Sequence, residues 1–351
     1  MISSFSLLAG RGTRGKGVDN KKMKNPNRPV IAIDIGGTKI MTALFDAAGK
    51  LIGRDVFPTL AANGFEDVIE RIAQNVQGLL QRNSLEPAQV GAITIAAAGG
   101  IDTGRGVVVT PSPHLPDWKE VPLAAMFKSR FGVDTYVLND ASAAALGEHR
   151  YGIGRGVKHL VLLTLGTGIG GGIIIDGELY LGAAGGAGEL GHMTIEAHGP
   201  RCGCGNTGCL EMLVSGSAIE RNTIEHLHNG EASTLVDKVK TGNNIVSVPD
   251  IVAAARSGDK LAQDVMARAA FYLGVGFVNI INIFNPELIV YGGGMAELGD
   301  ILVGPGKKMA LEIPFSLNAR AVRIVQAQLG NEAGIYGAAA FGRDMHLRRT
   351  R

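Results

Sequence analysis

All three cysteines of this 351-residue chain, Cys202, Cys204 and Cys209, fall within eight consecutive positions. A disulfide framework spreads an even number of cysteines along a chain, whereas a short odd cluster suits a metal held in a reducing compartment. Just upstream stands Glu189-Leu-Gly-His192, and Glu211 follows shortly after the last cysteine. Three thiolates and one imidazole make a Cys3His set, the ligand chemistry of tetrahedral zinc. His192 is the expected fourth ligand and His198 the alternative. A closed set of four protein ligands shapes a loop rather than activating water. Glu189 and Glu211, beside it, could accept hydrogen bonds from a polyol; otherwise they are solvated surface glutamates.

Two glycine-rich segments offer a different chemistry. Ile33-Asp34-Ile35-Gly36-Gly37-Thr38-Lys39 places glycines where a short apolar run ends, so backbone N–H groups can approach phosphate oxygens. Asp34 can hold magnesium, directly or through water, and Thr38 adds a hydroxyl donor. Gly166-Thr-Gly-Ile-Gly-Gly-Gly172 contains G-x-G-x-x-G, but Ile173-Ile-Ile-Asp176-Gly177 follows. A dinucleotide fingerprint requires a helix there, so a phosphate-cradling hairpin is expected over 166–172. Leu138-Asn139-Asp140 ends another apolar run. A carboxylate at that place can take the proton of an attacking hydroxyl; its ordinary alternative is a helix N-cap. Asn285-Pro286-Glu287 through Gly292-Gly293-Gly294 supplies a late glycine turn suited to a flat ligand such as adenine.

The elements that must position these residues follow from periodicity. Strands are expected at Val30–Ile35, Ile40–Phe45, after the Asp46–Gly49 turn, at Ala92–Ala97 and at Val133–Leu138. Val68, Ile69, Ile72, Val76, Leu79 and Leu80 share one face of a helix over 65–80, and further helices are expected at Leu123–Phe131 and after Asp140. The pattern restarts at Leu160–Leu165 and Gly172–Ile175. With the second stretch laid over the first, Asp34 falls over Thr164, Gly36 over Gly166 and Asp46 over Asp176. A long helix near Leu261–Ile283, a strand Leu288–Tyr291 and a C-terminal helix from about Ala333 follow. This pattern predicts a duplicated α/β fold with a cleft between its halves, where nucleotide commonly binds.

Composition narrows the function classes. Glycine numbers 51, without the collagen period, and 46% of residues are hydrophobic, against a low-complexity chain. The net charge of +2 is uneven: residues 1–29 carry seven basic residues and one acid, and 343–351 four arginines and one acid. Residues 30–342 hold 23 basic and 30 acidic residues, a balance that does not favour nucleic acid. The segment 1–29 reads as a disordered basic extension. No run reaches the roughly 18 apolar residues of a membrane span, the nearest being Leu273–Phe284, so a cytoplasmic location without membrane attachment is expected.

Taken in order, IDIGGTK, LND, GTGIGGG, ELGH with CGCGNTGCLE, and NPELIVYGGG resemble the ROK family of bacterial sugar kinases and sugar-responsive repressors, over about Val30 to Phe341. The resemblance implies a duplicated actin/hexokinase-like (ribonuclease H-like) two-domain fold with a central cleft. Its expected parts are a small domain over 30–138, completed by a C-terminal helix at about 335–348, and a large domain over 139–334 with a zinc-binding insertion at 189–211. It implies ATP- and magnesium-dependent phosphorylation of a hexose, often glucose at O6, with Asp140 as general base. Gly99, Asn139, Asp140, Glu189, His192 and Glu211 would bind the sugar, and His192 would also join Cys202, Cys204 and Cys209 on zinc. Asp34, Gly36, Gly37, Thr38, Lys39, Gly166, Thr167 and Gly168 would serve phosphates and magnesium, Gly292 and Gly293 the adenosine. A homodimer is implied as well. Three departures, Ala98-Gly99 for Pro-Gly, Pro113-His114-Leu115-Pro116 for Pro-Asn-Leu-Pro and Ser142 after Asn139-Asp140-Ala141, bear on which sugar is taken. N-acetylhexosamine, mannose or fructose are the alternative acceptors. A sugar-sensing regulator is the alternative class; it would need a DNA-binding domain ahead of the first glycine turn.

Overall fold

The computed structural model describes residues 25–240, 245–312, 318 and 322–351. The basic extension expected over 1–29 thus lies outside the described residues up to position 24.

In the first half, β1 (Val30–Ile35), β2 (Lys39–Phe45), β3 (Leu51–Pro58), β4 (Ala92–Ala97) and β7 (Thr135–Asn139) form one mixed sheet in the order β3-β2-β1-β4-β7. β5 (Gly100–Asp102) and β6 (Val107–Thr110) make a small separate hairpin. In the second half, β8 (Leu160–Leu165), β9 (Ile169–Ile175), β10 (Glu178–Leu179), β11 (Leu288–Gly292) and β12 (Arg323–Gln326) repeat the plan as β10-β9-β8-β11-β12. β8 follows β1 at the same offset, at both ends, as β9 follows β2. The repeat seen in the sequence is the repeat of the two sheets.

The central strands β1, β4 and β8 are buried on both faces, and alternation sorts their residues by size. Ile31, Ile33 and Ile35 of β1, with Ile93 and Ile95 of β4, join the core beneath α1 (Phe65–Arg82) and α2 (Leu123–Phe131). Val30 and Ala32, with Ala92 and Ala96, face Ile335, Ala338 and Ala339 of the C-terminal helix (Ala333–Thr350). α3 (Asp140–Arg150) packs on β8 and β9. The small residues leave room for α3 and the C-terminal helix to lie side by side between the sheets. All six residues expected on the inner face of α1 are buried.

The glycines at 170–172 are not part of the loop expected over 166–172. They lie inside β9, and only 166–168 form the turn. A β-carbon at Gly172 would sit 2.5 Å from Ala145 Cβ, and one at Gly170 2.7 Å from Ala141 Cβ. These positions lack side chains because α3 presses directly on the strand.

The second half adds α4 (Leu210–Val214), α5 (Gly216–His228), α6 (Val236–Lys240), α7 (Val248–Arg256), α8 (Lys260–Phe284) and α9 (Gly304–Glu312). By length and composition α8 is apolar enough to cross a membrane, contrary to the expectation that no segment would be. Its Leu273, Phe277, Ile280 and Ile281 are fully buried in the second core against β8 and β11 residues. That packing accounts for its hydropathy as a core helix.

Candidate functional site

The residues singled out by type gather at the carboxyl ends of the parallel strands, the usual ligand-facing end of an open α/β sheet. Asp34 is the penultimate residue of β1, beside Ala96 of β4, and Ala97 is beside Asn139 of β7. Gly99 follows β4, Gly166 follows β8, and Gly292 ends β11 beside Thr164. Gly293, at φ +86°, folds back onto the Leu165 carbonyl, so the two late glycine turns touch.

Asn139 takes the helix-capping role. Its Oδ1 accepts N–H bonds from Ala141 and Ser142 at 3.0 and 3.2 Å, and its Nδ2 donates to the Gly99 carbonyl at 3.2 Å. Asp140, in the first turn of α3, is therefore not needed as the cap. It is half-buried and accepts from the Ala141 N–H at 2.8 Å. Burial raises its pKa, while the Ala141 N–H and the charge of His114 act in the opposite direction. Asp34 is raised to about 7, by burial first and then by the charge of Asp140, against the opposing pull of Lys39. Gly334, in the first turn of the C-terminal helix, lies against this carboxylate; a β-carbon there would be 2.8 Å from Asp34 Oδ2.

In the first glycine turn the Gly36 N–H donates to the Lys39 carbonyl at 3.1 Å, and Thr59 Oγ1 donates to the Gly36 carbonyl at 2.6 Å. Thr38 and Lys39 are exposed. In the second turn the Gly166 N–H donates to the Gly168 carbonyl at 3.0 Å. Thr164, the counterpart of Asp34, accepts the Gly170 N–H at 3.0 Å.

His192, Cys202, Cys204 and Cys209 offer ligand atoms all within 4.8 Å of one another, and His198 is outside the group. A tetrahedral zinc ion, with Zn–S about 2.3 Å and Zn–N about 2.0–2.1 Å, spaces sulfurs about 3.8 Å apart and sulfur from nitrogen about 3.6 Å. Cys204 Sγ and Cys209 Sγ are 3.7 Å apart, and Cys202 Sγ is 3.6 Å from His192 Nδ1. The donor set fits. Burial pushes the thiols of Cys202 and Cys209 up, whereas the N–H of Asn206 lowers that of Cys204, the exposed member. His192 Nε2 faces Glu189 Oε2 at 3.9 Å, the kind of carboxylate that orients a ligating imidazole.

Glu189 stays half-exposed, yet its pKa is raised by burial and by the charges of Asp140 and Glu211, with His192 opposing. Glu211 is half-buried rather than a solvated surface group, and its Oε2 accepts the Ile169 N–H at 2.9 Å. The charges of Asp140 and Glu211 thus both reach Glu189, and Glu211 bonds to the residue that follows the second glycine turn.

In the sequence His114 stands out only as a departure from the family pattern. A β-carbon on Gly37 would lie 2.6 Å from His114 Cβ, so the histidine leans on the first glycine turn while its charge reaches Asp140. Leu115 and Trp118, both buried in the first core, anchor its loop. Those apolar anchors are visible in the sequence, but the contact they bring about is not.

The family model of the ROK family matches residues 30–345. A glucokinase of Thermotoga maritima is 38% identical over 90% of this chain and 97% of its own. A ROK family glucokinase from Streptomyces griseus, solved with glucose and AMPPNP, superposes with a TM-score of 0.71 at 33% identity, over 90% of this chain and 99% of that one. A xylose repressor of Bacillus spizizenii is 29% identical over 88% of this chain but only 75% of its own. With two matched half-sheets, the glycine turns, the Asn139-Asp140 pair and the Cys3His cluster in one arrangement, the chain belongs to the ROK family and carries its actin/hexokinase-like fold.

Proposed function

We propose that the chain is an ATP-dependent hexose kinase that converts glucose to glucose 6-phosphate. The observation that carries this is Asp140. Asn139 takes the capping role, and Asp140 lies half-buried in the first turn of α3, close enough to Asp34 and Glu189 for its charge to act on both, with its pKa raised by burial. A carboxylate so placed accepts the O6 proton as O6 attacks the γ-phosphorus, and the bond to ADP breaks on the far side. Gly36 and Gly166 close the two turns with their own N–H groups, so the backbone N–H groups of 37–38 and 167–168 would face the phosphates, with Thr38 and Lys39 at the rim. Asp34 would hold magnesium, which when bound neutralises phosphate charge. Gly99, Asn139, Glu189, His192 and Glu211 position the sugar, and Gly292 and Gly293 accommodate the adenosine.

The zinc we assign to His192, Cys202, Cys204 and Cys209 is structural, fixing the 189–211 segment. The small domain spans 30–138 with the C-terminal helix; the packing of Ile335, Ala338 and Ala339 with β1 and β4 residues supports this division. The large domain is 139–334, and closure of the two over both substrates would exclude water. The enzyme would work in the cytoplasm as a homodimer, which light scattering on the purified protein checks.

The deciding experiment is a coupled assay across glucose, mannose, fructose and N-acetylhexosamines, with ATP and polyphosphate as donors. Glucose with ATP should give the highest kcat/KM. Sugar binding without turnover for every acceptor would overturn the kinase reading in favour of a sugar-sensing regulator.

A further inference from the structure

Glu211 is the acceptor-side carboxylate that also touches the donor loop. Its Oε2 accepts the Ile169 N–H at 2.9 Å, and a β-carbon at Gly168 would lie 2.6 Å from the same oxygen. Its Oε1 accepts no hydrogen bond from the described residues. On the other side its charge is felt by Glu189, which also senses Asp140. The carboxylate therefore stands between Glu189 and the turn at 166–168.

The turn is held from a second direction by main chain alone. Gly216, the first residue of α5, donates its N–H to the Gly166 carbonyl at 2.8 Å. That main-chain bond offers a ligand no side chain to engage. Glu211 does, because one oxygen grips the turn while the other is open. Its own base is firm: the Leu210 N–H donates to the Met193 carbonyl at 2.9 Å, and the Ile195 N–H to the Gly208 carbonyl at 2.8 Å.

We propose that Glu211 is a positioning residue that couples the acceptor and donor subsites. A hydroxyl-bearing acceptor engaging Oε1 fixes the carboxylate, which then holds the Ile169 N–H and the 166–168 turn in the shape that receives phosphate. The ordering of the turn is completed by the first ligand, so the second binds more tightly, and the effect is reciprocal. This inference rests on the kinase reading.

Calorimetry on the full chain, with magnesium and a non-hydrolysable ATP analogue, tests it without turnover. Saturating glucose should tighten analogue binding to the parent protein by about 5-fold or more, within the usual range for coupled sites. In Glu211→Ala that factor should fall below about 2-fold, and in Glu211→Gln, whose amide oxygen can still accept the N–H, part of it should survive. Glu189→Gln is the control. It weakens sugar binding but, lacking a contact with the turn, should keep the coupling once sugar is saturating. An undiminished factor in Glu211→Ala, equal losses in Glu211→Ala and Glu189→Gln, or no coupling in the parent protein would each overturn the proposal. Should Glu211→Ala fail to fold, Glu211→Gln against Glu189→Gln decides by the same comparison. A parent protein that binds no ATP analogue at all would instead overturn the kinase reading.

Discussion

Asn139 caps α3, so the Asp140 carboxylate is not needed for that job and is available for the proton transfer proposed for it. Asn139 closes the first turn of α3 through two N–H bonds, while Asp140 Oδ1 accepts the Ala141 N–H. Asp140→Asn keeps the volume and removes the base, so kcat should fall by about 10²- to 10⁴-fold, with sugar affinity changed far less. A coupled assay with a parallel binding titration checks both, and near-normal turnover would remove Asp140 from the role. Asp34 makes a prediction about stability. Its pKa stands at about 7 in the fold against an ordinary 3.8, held up by burial and the charge of Asp140 despite Lys39. A raised carboxyl favours the neutral form in the folded state. The stability it contributes is present at low pH and is lost as pH climbs from about 4 to about 7. Without ligands, Asp34→Asn should therefore be the more stable protein at pH 8, by at most about 4 kcal/mol at about 1.4 kcal/mol per pKa unit, and the gap should close by pH 4. Urea denaturation at the two pH values measures it; a variant weaker than its parent at pH 8 contradicts the burial argument.

Elements are legible where the apolar pattern has one period or one short run. The α1 stripe reads directly as a helix, and the apolar run of β1 ending in glycines as a buried strand. The glycine run is harder. In sequence, 166–172 looks like one loop, yet three of its glycines lie in β9: Gly170 and Gly172 where α3 approaches, and Gly171 against Gly188 and Leu190. Composition cannot distinguish a glycine needed for a turn from one needed for close packing. Gly172→Ala tests the distinction: forcing a methyl against Ala145 should destabilise the fold by about 1–3 kcal/mol. Gly203→Ala, where a β-carbon meets no atom within 4 Å, should change stability by less than about 0.5 kcal/mol. Equal effects in a thermal or urea melt would show that β9 has slack that the contact distances deny.

At the scale of the whole molecule, the segment that carries the Cys3His cluster meets the second glycine turn. Residues 189–211 place His192 among the cysteines and Glu211 on the turn at 166–168. Removing zinc with a chelator, or replacing Cys204 by Ser, should release one equivalent of zinc per chain by metal analysis. Hydrogen exchange should then quicken through 189–211 and at 166–169, but not in α1. Protection unchanged at both places after metal loss would sink the structural role of the ion.

What the sequence determined by itself was chemistry with local causes. The Cys3His set, the glycine turns and the strand and helix periods depend on residue type and near spacing, which local physics constrains, and the internal repeat follows from the same local patterns occurring twice. What only the tertiary structure decided were contacts between segments remote in the chain. His114 leans on Gly37, Gly334 abuts Asp34, and Glu211 bonds to Ile169 across 42 positions. Such contacts follow from how two sheets and the helix pair between them are packed. Packing is a property of the whole assembled chain, and no window of neighbouring residues contains it.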